Sequence, residues 1–195
     1  MAGTEKRESL ILAADSLFHR NGFEHTSIAD IAAAAAVPLG NVYYYFKTRG
    51  ELVKAVTDHR LASIRARRLE WDALASPRDR LLAYVRSFES RTDDFTAHGC
   101  PAGGLCLEAN RVGGPIARDA ASVFRESLEW LGTQFQAMGL PIRQARANAA
   151  QLLSGRQGSV LLSNTFKDPV YIRLELARLK KWLSDMPAGK ERKKT

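Results

Sequence analysis

The chain is poor in sulfur and has no long apolar run. Its 195 residues include two cysteines, three methionines and four histidines. Two thiols are too few for a disulfide framework, and in an intracellular chain they are expected to be free. No apolar stretch approaches the roughly 18 residues of a membrane span. The opening MAGTEKRES lacks the apolar centre of a signal peptide. No membrane partner is expected, and the expected location is the cytoplasm. Also missing are a glycine-rich phosphate loop, a G-x-S-x-G elbow and an H-E-x-x-H zinc pair. His19, His25, His59 and His98 are scattered. His98, Cys100 and Cys106 supply three metal ligands at most, at a spacing that matches no structural zinc pattern. No enzymatic activity, cofactor or metal is therefore expected.

What is present is ordinary for a soluble globular protein, with 45% hydrophobic and 26% charged residues. The length is sufficient to bury a real core. The net charge of +8 invites a nucleic-acid reading. Its distribution does not locate the site. Residues 1 to 50 hold five bases (Lys6, Arg7, Arg20, Lys47, Arg49) and five acids (Glu5, Glu8, Asp15, Glu24, Asp30). The excess comes later, in Arg60, Arg65, Arg67, Arg68 and the tail from Lys190 to Lys194.

The organising stretch is Thr26 to Leu52, TSIADIAAAAAVPLGNVYYYFKTRGEL. Ser27 and Asp30 form an S-x-x-D capping box. Ile28, Ile31, Ala32 and Ala35 then share one helical face. Pro38 has no N–H and pushes Val37 out of helical dihedrals, so the helix breaks there. The same proline suits the first position of a second helix. Two short helices joined in this way predict a helix-turn-helix, whose second helix can enter a DNA major groove. On that second helix Val42 and Phe46 face the core with Tyr43 beside them, while Leu39, Gly40, Asn41 and Tyr44 face outward. Asn41 suits a base edge or a phosphate, and Tyr44, Tyr45, Lys47 and Arg49 bring hydroxyls and charge to the far end. Periodicity alone fits equally well a plain hairpin of amphipathic helices with an aromatic core patch.

Residues 10 to 52 resemble the DNA-binding domain of the tetracycline-repressor (TetR/AcrR) family of bacterial transcription regulators. The matching residues are Ala14, Leu17, Phe18, Gly22, Phe23, Thr26, Ser27, Ile31, Ala32, Ala35, Val37, Gly40, Tyr43, Phe46, Arg49 and Leu52. Two positions depart from the pattern. Ala36 stands where the family usually has a turn glycine, which fits only a backbone that is not strongly left-handed. Pro38 stands where it usually has Ser or Ala, and has no hydroxyl for a phosphate. The resemblance implies a DNA interface made of Thr26, Ser27, Pro38, Leu39, Gly40, Asn41, Tyr44, Tyr45, Lys47 and Arg49. It implies that residues 38–45 lie in the major groove of a double-stranded, palindromic operator.

The expected fold is all-α. Residues 5–52 form a three-helix helix-turn-helix domain, residues 1–4 are expected to be disordered, and Lys6 and Arg7 to reach phosphates as a short arm. Residues 48–70 form a linker helix, residues 76–186 a larger ligand-binding and dimerisation domain, and residues 187–195 a basic disordered tail. Ser76-Pro77-Arg78-Asp79 caps a helix running to about Asp93. Asp168-Pro169 caps the last helix, with the proline at its first position. There Ile172, Leu176, Leu179 and Leu183 step four, three, four, a coiled-coil-like seam. With Leu153 and Leu161 of the preceding helix, this seam is the expected interface of a homodimer, as the family resemblance implies. Packing within its own domain is the plainer reading. A small-molecule effector of unknown identity is expected between the helices, lined by Tyr84, Phe88, Phe95, Cys106, Phe124, Trp130 and Phe166.

Cys100 precedes Pro101 at a helix start, where the helix dipole favours thiolate. Cys106 lies about 9 Å further along and on another side, too far to pair. A Gly-Cys segment at this place occurs in some regulators of the resembled family, a subset of which sense electrophiles. Cys100 and Cys106 are thus candidate thiol sensors, or else small hydrophobes beside a pocket. The main reading is a ligand-responsive repressor. The alternative of another class is a helical binding or catalytic protein with an incidental helix-turn-helix.

Overall fold

The computed structural model describes residues 2–187. Among these, every regular element is helical: α1 (Ala2–Asn21), α2 (Ile28–Ala34), α3 (Leu39–Tyr45), α4 (Arg49–Asp72), α5 (Pro77–Arg86), a 3₁₀ turn (Glu89–Arg91), α6 (Thr92–His98), α7 (Pro101–Val112), α8 (Gly114–Ala137), α9 (Ile142–Phe166) and α10 (Val170–Asp185). Beyond Pro187 the expected basic tail lies outside the described residues. No described helix is long and apolar enough to cross a membrane.

Contacts divide the chain into two compact units. The first comprises the residues up to Ile64 together with Cys100–Val123, and the second Arg65–Gly99 together with the residues from Phe124 onward. In the first unit Leu10, Ala14 and Phe18 of α1, Ile31 of α2, Val42 of α3 and Leu52, Val53 and Val56 of α4 share one core. Leu105 and Ala109 of α7 belong to that core too. The sequence segments grouped α7 with the C-terminal helices, but its apolar side is spent on the N-terminal ones. Glu108 adds a polar tie, accepting from the Glu24 backbone N–H at 2.7 Å. Gly22 makes this approach possible: its φ is +87°, and a Cβ there would stand 3.0 Å from the Glu108 carboxylate.

Several local readings shift. Residues 2–4 are the first turn of α1 rather than a disordered lead. Arg7 does not extend from it as a free arm, because its guanidinium lies 5.1 Å from the Phe46 ring centroid. The helix expected from Pro77 to about Asp93 stops at Arg86, where Phe88 N–H turns to Val85 O in a tighter bond. That break lets Phe88 and Phe95 stack at 5.6 Å, closer than two turns of a continuous helix would hold them.

In the second unit α10 packs on α9 and α5. Ile172, Leu176, Leu179 and Leu183 are all buried inside this one chain, as is Leu153. The seam expected to be a subunit interface is therefore core of its own unit: its stripe covers the two neighbouring helices and leaves nothing to offer. At Gly155 the Glu175 carboxylate of α10 occupies the place a Cβ would take. At the start of α10, Asp168 caps through its carboxylate, which accepts from Val170 N–H at 2.9 Å. Pro169 has helical dihedrals but stands at the N-cap, one position earlier than expected, so that Val170 begins α10.

Candidate functional site

The helix-turn-helix rests on local chemistry. Ser27 accepts from Asp30 N–H at 3.1 Å, and Asp30 accepts in return from Ser27 N–H at 2.9 Å, which closes the capping box. The Ser27 contacts hold the Asp30 carboxyl below its ordinary range. At the other end of α2 the N–H of Val37 reaches Ala32 O at 2.9 Å, and that of Ala36 reaches Ala33 O at 3.1 Å. This is a Schellman-type cap, and it requires a left-handed residue. Ala36 takes that conformation, at φ +52°. The expectation that alanine implied a milder turn is corrected: the cap geometry prevails, at a cost of about 1 kcal/mol. Pro38 is likewise one position earlier than expected, with an extended ψ of 136°, so that Leu39 begins α3.

Val42 and Phe46 fix α3 to the core. Tyr43 does not join them; it is exposed, because three consecutive tyrosines cannot all share the one buried side of a seven-residue helix. Pro38, Leu39, Gly40, Asn41 and Tyr44 form an exposed surface, with Tyr44 at 76% exposure. Tyr45 is half-buried and meets Tyr44 edge-on at 5.1 Å. The Lys47 ammonium stands 6.0 Å from the Tyr44 ring centroid. Ser27 is exposed.

Two residues from the expected phosphate set are engaged by backbone carbonyls of the chain itself. Thr26 is 2% exposed, and its hydroxyl donates to Gly22 O at 2.7 Å. Arg49 donates to the carbonyls of Phe23 and Thr26 and lies over the Phe23 ring, 4.2 Å from its centroid. Both brace the loop between α1 and α2; Thr26 is buried in doing so, while Arg49 stays exposed. The basic stretch on α4 is also mostly committed. Arg60 is buried, paired with Asp15 and bonded to Pro101 O at 2.6 Å. In the second unit Arg65 and Arg68 both meet Glu126, and the hydrogen bond from Arg65 is the main cause holding that carboxyl low.

The two cysteines are free thiols. Cys100 caps α7, its sulfur accepting from Gly103 N–H at 3.4 Å. Cys106 donates to Ala120 O at 3.2 Å, and burial pushes its thiol up to about 11. Cys106 was expected in the effector lining, but it belongs to the first unit, whereas the other lining candidates belong to the second. Of the other lining candidates, Tyr84, Phe88, Phe95 and Trp130 do come together in the second unit, joined by Trp71. Phe124 takes no part in these ring contacts among the described residues. Phe166 is 61% exposed and pairs with Tyr171.

Sequence reasoning missed Arg156. This α9 residue is 8% exposed, its Nη1 donates to Tyr84 Oη at 2.6 Å, and its guanidinium lies 3.8 Å from the Phe88 ring centroid. The signal was present: an arginine between Leu152, Leu153 and Val160 on the apolar side of α9.

Known proteins resemble this chain in sequence and in fold. Residues 10–56 match the profile described as "Bacterial regulatory proteins, tetR family". A Lactococcus lactis protein described as an uncharacterized HTH-type transcriptional regulator is 26% identical over 83% of this chain and 85% of its own. The transcriptional repressor NemR of Escherichia coli is 25% identical over 60% and 59%. A TetR transcriptional regulator from Chloroflexus aurantiacus superposes with a TM-score of 0.83, at 22% identity, over 95% of this chain and 97% of that one.

Proposed function

Because this chain belongs to the tetR family of bacterial regulatory proteins and is a helix-turn-helix transcription regulator rather than an enzyme, we propose that it is a ligand-responsive repressor. It binds a palindromic operator as a homodimer and leaves when a small, largely apolar molecule binds. The observation carrying this reading is the outward surface of α3, where Leu39, Asn41 and Tyr44 are exposed while Val42 and Phe46 lock the helix to its core. Gly40 lets the backbone approach DNA closely, Asn41 offers a bidentate amide, and Tyr44 with Lys47 meets the phosphate strand. Tyr45 and Ser27 lie beside this surface as further phosphate contacts. Thr26 and Arg49 act indirectly by holding the loop before α2.

The dimer surface is assigned to the apolar residues that the second unit leaves uncovered. Leu161 and Leu174 are 63% and 65% exposed, with Leu162, Phe166 and Val170 also exposed on α9 and α10. Exposed apolar side chains on two helices that pack together suit an interaction surface. The effector acts by favouring one spacing of the two heads over another. A preference of about 3 kcal/mol weakens operator affinity on the order of a hundredfold.

The test is a gel shift with DNA upstream of the coding region, at several salt concentrations, with wild type and Tyr44→Ala. Specific, salt-sensitive binding that Tyr44→Ala abolishes while the protein stays folded is expected. Retained operator binding by the variant overturns the assignment of α3. A second reading has support of its own: Cys100 sits at a helix N-terminus with an N–H aimed at its sulfur, and NemR is among the relatives. In it, an electrophile alkylating Cys100 replaces the reversible effector. Unchanged electrophile-driven release in Cys100→Ser removes this reading.

A further inference from the structure

Arg156 poses an electrostatic problem inside the second unit. A guanidinium has five N–H donors and does not lose its proton in proteins. Nη1 reaches the Tyr84 hydroxyl, but Nε is fully buried and has no hydrogen-bond partner. No carboxylate stands within ion-pair distance of this side chain among the described residues. What surrounds it instead is aromatic: Phe88 with its ring centroid at 3.8 Å, and Tyr84 at 5.5 Å. Tyr84 continues the cluster to Trp71 at 5.7 Å and Trp130 at 6.1 Å, and Phe88 to Phe95 at 5.6 Å.

The cation is not alone. Arg91 lies over Phe95, 4.7 Å from its centroid, and is paired with Asp94 at 2.8 Å. Arg67, half-buried on α4, has no hydrogen bond or ion pair among the described residues. Burial lowers its pKa most, with the Arg91 and Arg156 charges adding to the effect against a smaller opposing pull from Glu70 and Tyr84. Two guanidinia, Arg91 and Arg156, thus lie over one group of rings, and only Arg91 has a carboxylate of its own. Ring faces stabilise cations only partly, and a buried charge without a counter-ion is costly. An arginine fork matches a carboxylate in a bidentate fashion.

We propose that the second unit binds an aromatic organic anion, its carboxylate seated on the free edge of Arg156 and its ring among Trp71, Tyr84, Phe88 and Trp130. The inference rests on the reading of this unit as an effector module and names the chemistry of the effector: a flat apolar body with one negative group. The anion supplies the missing acceptor for Nε, and Arg67 adds long-range attraction.

The experiment compares 2-naphthoate, salicylate and benzoate with their neutral amides, using full-length wild type, Arg156→Met and Arg156→Lys. Binding is read by quenching of tryptophan fluorescence, to which Trp71 and Trp130 contribute, and by thermal shift, both without DNA. At least one carboxylate is expected to bind wild type about tenfold or more tightly than its amide. Arg156→Met should erase that preference while melting at or above the wild-type temperature, because it replaces an unpaired buried charge with an apolar chain. Arg156→Lys should retain only part of it, having a point charge without the fork. Equal affinity for acids and amides, a preference that survives Arg156→Met, or no binding of any of the three acids overturns the proposal. The gel shift separates the two levels. Arg156-dependent carboxylate binding that leaves operator binding unchanged supports the anion site and defeats ligand-gated repression. Release by neutral apolar compounds, with no preference for acids, does the reverse.

Discussion

Arg60 of α4 donates from Nη1 to the carbonyl oxygen of Pro101, 2.6 Å away, at the first residue of α7. The same guanidinium pairs with Asp15 of α1 and reaches the Asp15 carbonyl at 3.4 Å. One buried side chain thereby ties three helices of the first unit together. It also holds the start of α7, where Cys100 is the cap, against the helix that follows the helix-turn-helix.

Replacing Arg60 with Met leaves a buried carbonyl and a half-buried carboxylate without their donor. The expected loss is about 2–3 kcal/mol, seen as a lower urea midpoint by circular dichroism. Arg60→Lys should recover little, since a single ammonium cannot span both partners. A midpoint unchanged in Arg60→Met would mean that this contact network contributes no net stability.

Ala36→Gly should stabilise the protein by roughly 0.5–1 kcal/mol, by relieving an L-residue held at φ +52°. Thermal denaturation reads this directly. A fall in melting temperature would show that the turn after α2 does not hold Ala36 in the left-handed region in solution.

The Cys106 thiol is raised from an ordinary 9.0 to about 11, mainly by burial. The folded protein keeps the proton where the unfolded chain gives it up. Stability from this group is fully present below pH 9 and is lost as the pH rises from about 9 to 11. Cys106→Ala should flatten that part of the alkaline unfolding curve. Alkylation at pH 7.5 should label Cys100 before Cys106, which peptide mapping distinguishes; equal labelling would contradict the raised thiol of Cys106.

Leu161→Glu and Leu174→Glu change exposed apolar positions. Each should shift the protein from dimer to monomer in sedimentation velocity, with unfolding stability altered by little more than about 0.5 kcal/mol apart from the dimer's own contribution. Leu179→Glu, at a fully buried seam position, should instead unfold the second unit. A dimer that survives both surface variants would place the interface elsewhere.

Features governed by neighbours in the chain were readable without coordinates. The Ser27–Asp30 capping box, the break at Pro38, the buried pair Val42 and Phe46, the Ser76 cap and the Asp168 cap each depend on residues within one or two turns, so their residue types suffice. The helical stripes were legible for the same reason: a 3.6-residue period specifies which side is apolar whatever it meets. It does not specify what it meets. The leucines of α10 repeat like a seam, and only packing showed that α9 and α5 of the same chain cover them. The apolar side of α7 was equally visible in sequence, yet its assignment to the first unit depends on Leu105, Ala109 and Glu108 meeting residues some 80 positions away.

Charge was the least legible property. An arginine reads the same in sequence whether it faces phosphate, Asp15 or the ring of Phe88. Arg60 reads as a surface base and is an internal brace, Arg49 is exposed yet tied to two backbone carbonyls, and Arg156 is a buried cation with an orphaned N–H. The sequence alone determined that this is an all-helical chain with a helix-turn-helix, because caps, prolines and apolar period are local. Tertiary structure decided which charges are spent and which remain available, because that depends on partners brought together from distant parts of the chain.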